Sequence, residues 1–240
     1  MKCLLLASGF GTRLYPLGIN KAKGLIEYKG KPFVSHLVDK IPRDIPILLN
    51  TNKKFESDFR HWQGTLDRAI TLCVETVYDP KQAFGAIGSI EYWVRNELIE
   101  EDLLVLASDN YFEFDLLRFI ASFNGSNTLV AVHDIGDKSK ASKYGVVKLE
   151  GNKIVELEEK PAQPGSSLVA IACYIFPKRI FPLLAQYCAE GKRDNLGSFI
   201  AYLVEKDEVY AYAFSETWFD IGSMEVYQAI QRNASPHPRR

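Results

Sequence analysis

The sequence is poor in three features that point to particular classes of protein: long hydrophobic runs, net charge and cysteine. No apolar run approaches the roughly 20 residues that a helix needs to cross a bilayer, so we interpret the chain as water-soluble and expect no membrane partner. The formal net charge of −1 provides no general attraction to nucleic acid, although a local basic cleft for phosphates is compatible with it. With 47% hydrophobic and 25% charged residues, the composition is that of an ordinary globular protein.

The cysteines are far apart and form no Cys-x-x-Cys pair, which argues against a zinc site and against a disulfide framework. They are Cys3, Cys73, Cys173 and Cys188. The apolar run at residues 1–7 is short and gives way at once to glycines and an arginine, unlike an export signal. We therefore expect buried, reduced thiols and a cytoplasmic location.

Short apolar runs alternate with helical patterns over the first 130 residues. The runs, which predict buried strands, lie at 4–7, 46–50, 70–74, 103–107 and 128–132. Between them, residues 33–41, 55–62 and 87–98 carry apolar side chains at the three-to-four spacing of a helix. Alternation of strands and helices predicts βαβ units and a doubly wound α/β sheet.

The pattern changes after about residue 130. Alternating residues on either side of Gly151-Asn152 predict a β-hairpin, and a long strand is expected at 168–176. The remaining predicted elements are helices at 177–189 and 196–204, a strand at 209–214 and a helix at 223–231 that Ser223 caps. The tail at 233–240 has too little apolar content to pack, so we expect it to be frayed.

A glycine loop follows the first predicted strand. Gly9 and Gly11 allow backbone N–H groups to approach a phosphate, although a purely structural turn would explain them equally well. The third glycine of the dinucleotide fingerprint is replaced by Leu14, and residues 50–52 carry no acid at the end of the second strand. The chain also lacks Gly-Lys-Ser/Thr, which argues against a P-loop. Arg13 can bind phosphate oxygens in a bidentate manner, so the loop suits a triphosphate.

Several motifs resemble those of the nucleotidyltransferase family of nucleotide-sugar pyrophosphorylases. The pattern G-x-G-T-R-L-x-P-L stands at 9–17, and further matches lie at 23–25, 108–110, 144–147, 158–161 and 218–222. The resemblance covers residues 2 to about 230 and implies a Rossmann-like doubly wound mixed sheet with an inserted β-rich sugar-binding part and no C-terminal β-helix. It also implies one domain at 1–232, with a nucleotide-binding half at about 1–130, a sugar-binding half at about 131–232 and a flexible tail at 233–240.

The resemblance implies a role for individual residues. Those expected to bind the nucleotide are Ala7, Ser8, Gly9, Gly11, Thr12, Arg13, Gly85 and Asp109. Arg13 and Lys23 are expected to be catalytic, and the sugar phosphate is expected to bind Gly145, Glu159 and Lys160. Asp109 and Asp220 are expected to hold Mg²⁺ as the cofactor. The plain alternatives are helix caps for the two aspartates and an ordinary ion pair for Glu159 and Lys160.

The implied activity is magnesium-dependent transfer of a nucleotidyl group from dTTP, UTP or CTP to a sugar-1-phosphate, with release of pyrophosphate. Around Gly85 only the glycine and the following alanine match the family, so the base stays open. One alternative is cytidylyl transfer to phosphocholine, with Tyr111, Phe112 and Trp218 as candidates for an aromatic cage. Another is a non-catalytic nucleotide-sugar sensor, which the presence of the arginine, the lysine and both aspartates disfavours. The sequence leaves the oligomeric state open.

Overall fold

The computed structural model describes residues 1–14 and 21–234, except for the side chains of Arg13, Asn233 and Ala234. The chain forms two compact units. The first consists of Met1–Leu4, Phe84–Leu106 and Phe114–Glu216, and the second of Leu5–Ala83, Ala107–Glu113 and Thr217–Arg240. The last part of the glycine-loop motif, at 15–17, lies outside the described residues. So does the predicted tail, apart from the backbone of residues 233 and 234.

The predicted strands and helices are present. The strands are β1 (Lys2–Leu6), β2 (Glu27–Tyr28), β3 (Lys31–Pro32), β4 (Ile47–Asn52), β5 (Thr71–Glu75), β6 (Leu103–Ala107), β7 (Asn110–Phe112), β8 (Thr128–Asp134), β9 (Gly145–Glu150), β10 (Lys153–Glu159), β11 (Leu168–Phe176), β12 (Val209–Phe214) and β13 (Trp218–Asp220). The α-helices are α1 (Phe33–Lys40), α2 (Glu56–Gln63), α3 (Ala86–Asn96), α4 (Leu116–Ala121), α5 (Phe181–Ala189), α6 (Leu196–Lys206) and α7 (Met224–Ala234). The short strands β2, β3, β7 and β13 and the helix α4 are additional to the predicted elements.

In the first unit the strands are ordered β1-β6-β11-β8-β12-β10-β9. Strand β11 runs antiparallel to β6 and β8, whereas β12 runs parallel to β8, so the sheet is mixed as predicted. Strands β9 and β10 form the predicted hairpin, in which Gly145 pairs with Glu159. The residues of β8 are buried on both faces from Thr128 to Val132, which explains why this strand has no polar alternation.

In the second unit β1 is followed by β4 and β5, and β4 runs parallel to β5. Two short strands add a feature that the sequence patterns do not predict, because three residues are too few to reveal a period. These are β7 and β13, which pair antiparallel and place Asp220 opposite Asn110. A hydrophobic cluster lies beside them and consists of Leu14, Ile26, Tyr28, Phe33, Tyr111, Ile221 and Ile230.

Other expectations concern the cysteines, membrane-spanning helices, a β-helix and the cap of the last helix. All four cysteines are free and buried, in agreement with the prediction of reduced thiols. Among the described helices, none has the length and apolar character needed to span a bilayer. The described residues contain no β-helix. Ser223 caps the last helix as expected, since its Oγ accepts a hydrogen bond from the Val226 N–H at 3.4 Å.

Candidate functional site

The glycine loop begins where β1 ends. The Ala7 N–H donates to both the backbone oxygen and Oδ1 of Asn50, at 3.1 and 2.8 Å. Gly11 has a φ of 67°, and its carbonyl accepts the Leu14 N–H at 2.9 Å, which closes a 3-10 turn at Thr12–Leu14. An added Cβ at Gly9 would meet no described atom within 4 Å, so packing against the described residues does not require glycine there and they leave space for a ligand beside the loop.

Arg13 lies in this 3-10 turn, but its side chain is outside the described part of the structure. The role in charge stabilisation that the motif implies for Arg13 therefore stays a prediction. The same holds for direct nucleotide contacts of Ser8 and Thr12, although the structure places both residues in the loop together with Ala7, Gly9 and Gly11.

Lys23 and Asp109 form an ion pair in the second unit. Lys23 begins a 3-10 turn, and its Nζ lies 3.1 Å from Oδ2 of Asp109. An added Cβ at Gly24 would lie 2.8 Å from Oγ of Ser108, so only glycine lets this turn approach the residue that precedes Asp109. The Lys23 and Asp109 side chains remain 17% and 25% exposed, which leaves part of each charge accessible to a ligand.

The pairing of β7 and β13 brings Asp220 next to Asp109. The Ile221 N–H donates to the Asp109 carbonyl at 2.9 Å, and an added Cβ at Gly222 would lie 2.9 Å from Oδ2 of Asp220. Asp220 ends strand β13, and the residue that caps the following helix is Ser223. Carboxylate oxygens together with phosphate oxygens and waters suit Mg²⁺. The described residues contain no group of three or more candidate metal-ligating side chains, so the two aspartates would need substrate oxygens to complete the coordination.

A chain of hydrogen bonds orients the Asp109 carboxylate. Nε1 of Trp218 donates to Oδ1 of Asn110 at 2.8 Å, and Nδ2 of Asn110 donates to Oδ1 of Asp109 at 3.1 Å. Lys23 binds the other carboxylate oxygen. The motifs at 108–110 and 218–222 include Asn110 and Trp218, but only the strand pairing reveals that the two side chains are connected.

The residues expected to bind the sugar phosphate lie together in the first unit. Lys160 follows β10 with a φ of 51°, and its N–H donates to the Tyr144 carbonyl at 2.9 Å. For a residue other than glycine, this left-handed backbone conformation is less favourable by about 1–2 kcal/mol. Such strain often accompanies a functional position. Nζ of Lys160 lies 3.2 Å from Oε1 of Glu159, so the ion pair that was the plain alternative is present.

The Glu159 carboxylate lies between two glycines. Its Oε2 is 3.2 Å from the position of an added Cβ at Gly145 and 1.9 Å from that of an added Cβ at Gly197, near the start of α6. Motif comparison does not single out Gly197. The one local sign is a glycine in the first turn of a helix, where it is less stable than alanine.

The backbone of the first unit requires glycine at position 85. Its φ is 77°, and an added Cβ would lie 2.4 Å from the Arg193 carbonyl oxygen. The same carbonyl accepts the N–H groups of Ile87 and Gly88 at 2.9 and 3.1 Å, so it caps α3. Contact between Gly85 and a base stays a prediction.

Two of the aromatic residues considered for a choline cage are packed inside the second unit. Tyr111 and Phe112 are buried, and the Tyr111 ring stacks on Phe219 with centroids 5.0 Å apart. Nζ of Lys29 lies 5.3 Å from the centroid of the Tyr111 ring. Burial raises the pKa of Tyr111, whose hydroxyl donates to Glu113 at 2.9 Å. These contacts remove the support that Tyr111 and Phe112 gave to phosphocholine as an acceptor.

Comparison with known proteins extends over almost the whole chain. The model of the nucleotidyl transferase family matches residues 2–235. The UTP–glucose-1-phosphate uridylyltransferase AglF of Haloferax volcanii is 30% identical over 187 residues, which cover 75% of this chain and 74% of that protein. The bifunctional protein GlmU of Methanocaldococcus jannaschii is 28% identical over 231 residues, 92% of this chain. This chain spans only about half, 51%, of the length of GlmU.

A solved structure of UDP-glucose pyrophosphorylase complexed with UDP-glucose has the same fold. It superimposes with a TM-score of 0.78 at 20% identity, and the match covers 97% of each chain. The predicted fold class, a Rossmann-like mixed α/β sheet, is thereby confirmed.

Proposed function

Because the chain belongs to the nucleotidyl transferase family, we propose that it transfers a nucleotidyl group from dTTP, UTP or CTP to a sugar-1-phosphate and releases pyrophosphate. The observation that carries the proposal is the cluster of Lys23, Asp109 and Asp220 in the second unit. The ion pair of Lys23 with Asp109, with Asp220 on the strand paired beside it, suits a triphosphate with its metal ion. The glycine loop, where the described residues leave space beside Gly9, belongs to the same unit.

In the proposed reaction an oxygen of the sugar phosphate attacks the α-phosphorus of the nucleotide. The bond from that phosphorus to the bridging oxygen breaks, and the electron pair leaves with pyrophosphate. Since an ionised phosphate is itself the nucleophile, no serine, cysteine or histidine is needed to attack. Arg13 and Lys23 stabilise the negative charge that grows on the leaving group.

Asp109 and Asp220 would hold Mg²⁺, which when bound supplies neutralisation of the phosphate charges. Lys160 binds the phosphate of the sugar substrate, and Glu159 accepts hydrogen bonds from the sugar hydroxyl groups. In support, Glu159 is held in a narrow space between two glycines, and Lys160 adopts a backbone conformation that other interactions must maintain.

A panel of substrates tests the proposal. UTP, dTTP, CTP and GTP are each combined with glucose-1-phosphate, mannose-1-phosphate and phosphocholine, and pyrophosphate release is measured with Mg²⁺ and after exhaustive chelation. We expect release with at least one sugar-1-phosphate and none after chelation. Release with phosphocholine alone would favour that acceptor, and tight binding of a nucleotide sugar without any release would favour a sensor.

A pair of variants links the activity to the cluster. Asp109→Asn keeps the shape of the side chain but removes its charge, so kcat should fall by about 10²-fold or more. Asp44→Asn makes the same change at an exposed position and should leave kcat unchanged. Full activity of Asp109→Asn would contradict the proposed metal role of this residue.

A further inference from the structure

Three buried polar side chains, Asn50, Asn52 and Glu75, lie beneath the first residues of the glycine loop. Their exposed fractions are 0%, 0% and 1%. Side chains alternate along a strand, so the two asparagines lie on the same face of β4, and Glu75 at the end of β5 is the parallel partner of Asn52. Buried polar groups destabilise a protein unless they form hydrogen bonds, so their partners identify what they hold in place.

Asn50 binds the start of the loop. Its Oδ1 accepts the Ala7 N–H at 2.8 Å, and its Nδ2 donates to Oγ of Ser8 at 3.2 Å. The same Nδ2 donates to Oε1 of Glu75 at 2.8 Å. Because Oε1 of Glu75 accepts from Nδ2, Glu75 turns the amide so that its oxygen faces Ala7.

Asn52 binds the next group along the loop. Its Nδ2 donates to the Ser8 carbonyl at 2.8 Å, and its Oδ1 accepts the Phe55 N–H at 3.2 Å. The two asparagines therefore bind the amide of Ala7 and both the hydroxyl and the carbonyl of Ser8. These contacts lie at the carboxyl ends of β4 and β5, and ligands of α/β sheets bind at this end of the strands.

We infer that Asn50, Asn52 and Glu75 are positioning residues that hold Ala7 and Ser8 in the conformation that binds the nucleotide. The inference rests on the proposed function, in which the glycine loop binds the triphosphate. Replacing both partners of a buried polar contact with apolar groups of the same shape can be nearly neutral for stability, so stability alone does not require the bond between Asn50 and Glu75. Its effect is to fix the orientation of the loop, on which the placement of the reacting phosphate depends.

Variants of Glu75 and Asn52 test the inference in the full chain. Glu75→Leu removes the acceptor that orients Asn50, whereas Glu75→Gln retains a side-chain carbonyl oxygen in the same place. Asn52→Ala removes the bond to the Ser8 carbonyl. The matched control is Thr51→Val, because Thr51 is equally buried on the opposite face of β4 and its hydroxyl has no hydrogen-bond partner among the described residues.

The KM of each substrate is measured by pyrophosphate release, with the nucleotide among UTP, dTTP and CTP that the wild type uses best. Calorimetry gives the Kd of that nucleotide independently of turnover. Glu75→Leu and Asn52→Ala should raise the nucleotide KM and Kd by about tenfold or more, with the sugar-phosphate KM within about twofold of wild type. Glu75→Gln and Thr51→Val should resemble the wild type. If Glu75→Leu fails to fold, Asn52→Ala carries the test.

Two results would overturn the inference while the wild type is active. One is an unchanged nucleotide Kd in both folded variants, and the other is an equal rise in the KM of both substrates, which indicates general damage to the fold. A wild-type protein that neither binds a nucleotide nor releases pyrophosphate would instead overturn the proposed function, and this inference with it.

Discussion

Oε2 of Glu159 lies 1.9 Å from the position that the Cβ of a side chain at residue 197 would occupy, so the carboxylate fills the space left by the missing side chain of Gly197. A real oxygen and Cβ cannot approach so closely. The observed position of Glu159 therefore requires glycine at residue 197. On the other side of the carboxylate, an added Cβ at Gly145 would lie 3.2 Å from the same Oε2.

Gly197→Ala should displace the Glu159 carboxylate and raise the sugar-phosphate KM about tenfold, which corresponds to about 1.4 kcal/mol, with the nucleotide KM unchanged. Alanine is more stable than glycine in a helix by about 1 kcal/mol, so a loss would not come from α6 itself. The control is Gly165→Ala, because an added Cβ at Gly165 meets no atom of the described residues within 4 Å. Equal sugar-phosphate KM values in the two variants would contradict the role of Gly197.

Lys160→Ala should raise the sugar-phosphate KM by about tenfold or more and change kcat much less. The reason is that contact between a lysine and a phosphate is present in the ground state and the transition state alike. Lys148→Ala removes an exposed lysine from the same hairpin and serves as the control. Steady-state kinetics with each substrate varied in turn separates the two parameters. An unchanged KM in Lys160→Ala would assign this residue only to the ion pair with Glu159.

Trp218→Phe should raise the Mg²⁺ concentration required for half-maximal rate by about tenfold. Loss of a hydrogen bond that orients a metal ligand typically weakens metal binding by about that factor or more. The variant removes the donor that orients Asn110 and, through it, Asp109. Trp93→Phe is the control, since Nε1 of Trp93 is buried without a hydrogen-bond partner among the residues described. The measurement is a Mg²⁺ titration of the initial rate, and identical curves for the two variants would count against the relay.

His36 should make the folded state less stable in mild acid. Burial lowers the pKa of His36, although the Tyr28 carbonyl, 2.8 Å from Nε2, acts in the opposite direction. The folded-state pKa is then below the unfolded value, so the unfolded chain binds the proton more readily and stability falls as the pH drops below about 6.5. His36→Gln should reduce this loss, whereas His61→Gln at an exposed position should not. Urea unfolding at several pH values provides the free energies, and equal pH dependence in wild type and His36→Gln would refute the assignment.

The amino-acid sequence by itself determined the longer strands, most helices and the place of the glycine loop. The run predicted at 103–107 is strand β6 to the residue, and the run at 46–50 became Ile47–Asn52. A strand buried on both faces must be apolar throughout, and a helix with one buried face repeats every three to four residues. Both properties belong to a short stretch of chain, so they can be recognised without knowledge of the rest of the fold.

Only the tertiary structure decided which side chains meet within each unit. Asp220 lies beside Asp109 because two three-residue strands pair, and Glu159 has its space because a helix starts with glycine nearby. Asn50 binds the glycine loop, whereas the sequence showed only that no acidic residue stands at the end of the second strand. Contacts of this kind depend on segments that are distant along the chain and on the orientation that packing imposes on each side chain, neither of which a local pattern contains.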